Sequence, residues 1–137
     1  TEATIRGYAA AGSVVSVRVD GLLFKAQPAG LRLKVVEGVA LGTSISTLYT
    51  APVDVQQAIL LNAILCNTDS SDRTPEMHIV PSGGSAAVAN QVWKDVLLAR
   101  QSAFPEGFEA LEVGDFVQAK ASSGSVVSAR LSVLEVL

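Results

Sequence analysis

Enzyme and metal chemistry have little to draw on in this sequence, which holds one cysteine, Cys66, and one histidine, His78. A lone thiol excludes any disulfide within the chain, and one Cys with one His falls short of the three or four ligands that zinc takes. Ser-His-Asp or Cys-His catalysis would have to be built on His78, which alternates with Glu76 and Val80 in a short β-like stretch and reads as a satisfied strand histidine. Cys66, inside an apolar strand, reads as a small hydrophobe. Aromatic residues are also scarce, with one Trp, two Tyr and four Phe, so the stacked platforms of a sugar-cleaving site are missing. No apolar run approaches the roughly 20 residues of a membrane span. The N-terminus T-E-A-T-I-R-G lacks the basic-then-apolar plan of a secretory signal, so a soluble product of the cytoplasm is expected, and a start at Thr1 fits removal of an initiator Met or a trimmed chain equally. Basic charge is in deficit, 10 Lys and Arg against 13 Asp and Glu, which argues against nucleic acid or an anionic membrane as partner. No cofactor is expected.

What is present is apolar substance. At 137 residues, 49% hydrophobic and 17% charged, the chain is long enough to bury a core without a staple. Charge is unevenly placed. Up to Thr43 there are five basic residues against three acidic ones, and from Ser44 onward five against ten. Such polarity suits subunits that meet basic part to acidic part.

The periodicity is that of short strands. Val15, Val17 and Val19 alternate with Ser16, Arg18 and Asp20 before a turn at Asp20-Gly21. Residues 22–26 return as a second strand, and Leu31, Leu33 and Val35 alternate with Arg32 and Lys34 in a third that carries one basic face. A boundary near Gly42-Thr43-Ser44 divides an N-terminal β segment, 1–43, from a sandwich domain, 44–137. Strands follow at 45–50 and at 57–67, where L-N-A-I-L-C-N and its upstream neighbours are apolar on both faces. The polar stretch 68–75 is a hairpin tip, and 77–80 is a short strand ending in Pro81-Ser82-Gly83-Gly84. Residues 85–95, with Ser85 as N-cap, are the best helical candidate. Further strands are expected at 95–100, 108–112, 116–121 and 126–136. Eight to ten short strands with close turns predict an all-β chain, an antiparallel sandwich or jelly roll with an N-terminal meander and at most one short helix.

The remaining chemical signals are weak. Asp69, Asp72 and Glu76 lack the spacing and glycine of a calcium loop. Ser82-Gly83-Gly84-Ser85 resembles an anion nest, but with no Gly-Lys-Ser/Thr after it a turn with positive φ is the better reading. Glu106, Glu109, Glu112 and Asp115 form an acidic edge from which a carboxylate pair could be drawn. Trp93 beside Lys94 is either a binding anchor or a cover for one end of the sandwich.

Several segments together resemble a known class: L-Y-T-A-P at 48–52, C-N-T-D at 66–69, H-I-V-P-S-G-G-S at 78–85, A-N-x-V-x-K-D at 89–95 and L-E-V-G-D-F-V-Q-A-K-A-S at 111–122. They resemble small β-sandwich structural proteins of tailed bacteriophages over about two-thirds of the chain, 45–136. The resemblance implies a non-enzymatic virion component, foremost a capsid decoration or cement protein on the outer surface of the head, made in the host cytoplasm. Its partners would be the major capsid protein lattice and copies of itself, as a homotrimer or another homo-oligomer. Arg6, Arg18, Arg32, Lys34 and Trp93 are the candidate partner-binding residues. The alternatives are a tail, baseplate or fibre module and, further off, a small hydrolase using Glu106, Glu109 or Asp115.

Overall fold

The computed structural model describes residues 30–105 and 109–137. The expected strands at 15–19 and 22–26, together with Arg6, Arg18 and Glu106, lie outside these residues. Nine strands follow one another: β1 (Leu31–Ala40), β2 (Ser46–Thr50), β3 (Gln57–Asn67), β4 (Glu76–Val80), β5 (Gln91–Lys94), β6 (Ser102–Ala103), β7 (Glu109–Leu111), β8 (Phe116–Lys120) and β9 (Val127–Val136). One sheet has the order β1-β9-β3-β6, with β7 also pairing with β3. The other has the order β2-β8-β4-β5. Every pairing is antiparallel, and the two sheets pack face to face as a sandwich, as the alternation predicts.

The core between the sheets follows from period-two patterning. On β9, Val127, Ala129, Leu131 and Val133 are buried, and Ser128, Arg130 and Ser132 alternate with them. They meet Met77, Val117 and Ala119 of the second sheet in one hydrophobic cluster. The two-faced apolar character of β3 has a local cause. A bulge lies between Leu60 and Asn62, so the core-facing positions pass from Ala58 and Leu60 to Ala63, Leu65 and Asn67. One extra residue reverses the parity of the strand.

β1 departs from its simplest reading. Its cross-strand partners are Arg32 with Glu135, Lys34 with Val133 and Val36 with Leu131. Partners in register share a face, so the basic face of β1 is the one turned towards the second sheet. Leu31, Leu33 and Val35 point away from it. An edge strand tolerates this because Val36 alone supplies its packing against the core cluster, and Arg32 has a buried carboxylate to meet.

The expected helix at 85–95 does not form. Residues Val88–Asn90 make one 3₁₀ turn and β5 begins at Gln91. A segment this short cannot offset helix nucleation, whereas as a strand it pairs Trp93 with buried Met77 and Lys94 with Glu76. Asn90 closes the turn by accepting from the Ala87 amide and donating to the Ser85 carbonyl. The expected strand at 95–100 is reduced to a single bridge between Leu97 and Arg73. Leu97 enters the core, Val96 and Leu98 remain exposed, and Arg100 takes a positive φ of 57° that ends the extended run.

Candidate assembly surfaces

The two outer faces of the sandwich differ. Over the second sheet, segment 81–90 covers the outer side of β4. His78, 5% exposed, places Nδ1 at 3.1 Å from the Ala87 carbonyl and 3.2 Å from Asn90 Oδ1. Both partners are acceptors, so the proton belongs on Nδ1 and the ring is a satisfied structural group. The turn at Pro81 is of type II, with the Gly84 amide donating to the Pro81 carbonyl at 2.8 Å and Gly83 at φ 76°. Ser82-Gly83-Gly84 thus forms the tight turn with positive φ that its composition predicts.

The outer side of the first sheet has no such cover among the described elements. Register places Leu31, Leu33 and Val35 of β1 beside Leu134 and Val136 of β9, and Leu134 beside Ile59 of β3. Ile64 and Cys66 continue the same face, and Leu33 is 39% exposed. A contiguous apolar sheet face on a small domain marks a contact surface. Among the described elements the sandwich also has unpaired lateral edges. β1 and β2 flank one side, where a groove of about 560 Å³ is lined by Leu33, Val36, Leu48, Tyr49 and Pro52 among others. β5 ends the second sheet on the other side, where Val92, Val96 and Leu98 are exposed.

The groove is floored by a polar cluster: alternation on β9 puts Glu135 on the buried face, and only the fold supplies its partners. Glu135 is 2% exposed, accepts a hydrogen bond from Tyr49 Oη at 2.7 Å, and pairs with the Arg32 guanidinium. Arg32 also reaches Asp54 at 3.2 Å. Burial and the bond to Glu135 push the Tyr49 phenol well above its usual range. The bonds to Asp54 and Glu135 likewise raise the Arg32 guanidinium, and Arg32 holds the Asp54 carboxyl below the usual carboxylate range. Tyr49→Phe removes one donor from a buried carboxylate and is expected to lower stability by about 1.5–3 kcal/mol, measured by urea unfolding. Replacing Arg32 by Leu, which leaves Glu135 without its cation, should do more damage.

Of the residues singled out from the sequence, Arg32 is therefore committed to two carboxylates. Lys34 is exposed on the edge strand. Trp93 packs partly buried against the core from β5. The candidate calcium ligands are each engaged elsewhere: Asp69 by Arg73, Asp72 by the Ala99 amide, and Glu76 by two lysines. The Arg73 guanidinium holds the Asp69 carboxyl below its ordinary range. That pairing adds stability above the ordinary carboxylate pKa of about 4 and loses it as the pH falls through the lower folded value. Asp115 serves its own turn, accepting from the Ser82 and Glu112 amides at 3.0 and 2.9 Å. Among the described residues, no three His, Cys, Asp or Glu side chains gather to hold a metal ion, and no helix is long and apolar enough to cross a membrane.

No protein-family model matches the chain, and no curated protein matches it either. Among solved structures, one of Bacillus endospore appendages, described as forming a novel family of disulfide-linked pili, is similar in fold with a TM-score of 0.50. The two chains are 11% identical, and the match covers 86% of this chain and 99% of that one.

Proposed function

We propose that this chain is a non-enzymatic structural subunit that assembles with copies of itself, and that the outer face of the first sheet is buried in the assembly. The apolar row formed by Leu31, Leu33, Val35, Ile59, Leu134 and Val136 carries this reading. Among the described residues nothing covers this row, of which Leu33 is exposed and the others half-buried; an apolar sheet face left so, with unpaired edges beside it, would be an aggregation liability in a monomer. In a repeating assembly the same features are the contacts. The fold likeness to a pilus-forming protein supports an appendage-like filament as the form such an assembly takes.

The test is solution mass across a concentration series, with electron microscopy of the same samples. Wild-type chain is expected to form oligomers or filaments. Ile59→Glu with Leu134→Lys, directly opposite each other on the outer face and of opposite charge, should remain monomeric while staying folded by circular dichroism. A wild-type chain that stays monomeric throughout, or a double variant that assembles as well as wild type, overturns the reading. Because each subunit has a single cysteine, disulfides can join copies only in pairs, so the assembly should survive reductant.

A second reading, decoration of a phage head, is favoured by the segments at 48–52, 66–69, 78–85, 89–95 and 111–122. It shares the non-enzymatic role and the oligomer, with the capsid lattice as an added partner and the outer surface of the particle as location. Co-sedimentation with shells lacking the protein separates the two: firm binding to shells supports decoration, and filaments that ignore shells support the appendage.

A further inference from the structure

The strongest charged feature outside those surfaces lies where β4, β5 and β8 come into register. Glu76 faces Lys94 on one side and Lys120 on the other. Its carboxylate is 8% exposed and binds Lys94 Nζ at 2.9 Å through one oxygen and Lys120 Nζ at 2.5 Å through the other. Both lysine side chains remain about half exposed, at 50% and 41%. Two ammonium groups on one carboxylate leave one positive charge in excess, and each ammonium has donors to spare. Around them a recess of about 280 Å³ is bordered by Thr43, Thr74 and Ser122. The recess therefore has the size, the sign and the donors to take a further carboxylate.

The opposite end of the same strands carries such groups. β8 runs four residues from Lys120 back to Phe116, about 13 Å at strand rise, to the turn that follows β7. Glu112 in that turn and Glu109 at the start of β7 are exposed, and neither has a cation within 4 Å among the described residues. The turn is fixed in place: Gly114 takes φ 86°, and Asp115 ties it to the Ser82 turn. A fixed turn bearing Glu112 at one end, with Glu109 about 10 Å back along β7, and a cationic recess at the other are complementary between copies but out of reach of each other within one.

We infer that the recess between Lys94 and Lys120 receives Glu112, on the turn after β7 of a second copy, with Glu109 of that copy at its rim, giving a head-to-tail contact. This rests on the self-assembling reading above but concerns a different surface. A heterologous contact of this kind is not used up in a dimer and continues into a ring or an open row according to the rotation between copies.

The experiment is carbodiimide cross-linking, which joins a carboxylate to an amine in contact, on the assembled full chain mixed from nitrogen-15-labelled and unlabelled copies. Mass spectrometry is expected to find mixed-label links from Glu109 or Glu112 to Lys94 or Lys120. An assembly that forms but yields only same-label links at these lysines, such as Glu76 to Lys94, overturns the inference and leaves the assembly reading standing. A chain that remains monomeric overturns both. As a second arm, Glu76→Gln, Lys94→Gln and Lys120→Gln together remove all three charges while leaving no unpaired ion in the fold. This variant should stay folded by circular dichroism and weaken association by roughly 30-fold or more at low salt. Unchanged association in that variant also overturns the inference.

Discussion

Asn67→Asp, a change of one atom, is expected to cost about 3–5 kcal/mol of stability at neutral pH, a large part of what a domain of this size possesses. Asn67 is fully buried at the end of β3. Its Nδ2 donates towards the carbonyls of Ser71, Leu97 and Leu98 at 2.9, 3.1 and 3.2 Å, while Oδ1 accepts from the Asp69 amide at 3.0 Å. The side chain thereby joins the hairpin tip at 68–72 to the irregular segment at 97–98. A carboxylate in the same place turns an acceptor oxygen with full charge towards three carbonyl oxygens, with no water to screen it. The aspartate should accordingly hold its proton in the folded state to a higher pH than in the unfolded chain. Stability then approaches that of the wild type below the unfolded value near 4 and is lost as pH rises through the folded value. Urea unfolding at pH 4 and pH 7 checks both statements, and equal midpoints for variant and wild type at pH 7 would contradict them.

Leu131→Ala should lie in the upper part of the range of about 2–5 kcal/mol for such truncations. Leu131 is fully buried at the middle of β9, paired with Val36 on one side and Ala63 on the other. β9 is hydrogen-bonded along both edges, so its backbone cannot move in to fill the space. The surrounding core is rich in alanine, with Ala58, Ala63, Ala119, Ala121 and Ala129 all in the cluster, and alanines have no rotamers with which to repack. A denaturation midpoint shifted by less than about 1 kcal/mol equivalent would show that the sandwich relaxes more freely than its pairing implies.

Much of the strand order was legible from period-two alternation alone. β3, β8 and β9 fall where the apolar positions place them, because each is paired on both sides and buries one whole face. Errors gathered at edges and connections. At 85–100, small residues and a serine resemble a helix start, yet the segment is fixed by tertiary contacts: the Trp93 pairing, the Leu97 bridge and the cover over His78. The inward turn of Arg32 and Lys34 was hidden because it depends on Glu135, a hundred residues away, a charge that shares the buried parity of Val127, Ala129, Leu131 and Val133 on β9. The charged recess was hidden for a similar reason. Glu76, Lys94 and Lys120 are separated in sequence and meet only through register. Trp93 was the sole aromatic signal near it, and its indole serves the core.

The ends of the described sandwich have a practical geometry. The Leu137 amide donates to the Gly30 carbonyl at 2.8 Å, so the polypeptide enters and leaves the sandwich side by side. The tips at 68–72 and 122–125 lie beyond the far ends of β3 and β9, about 30 Å away at strand rise. Asn67 holds the first of these tips, so a peptide grafted at Ser123-Gly124 in the second and a protein fused after Leu137 would project in opposite directions, allowing two cargoes to be displayed from one subunit.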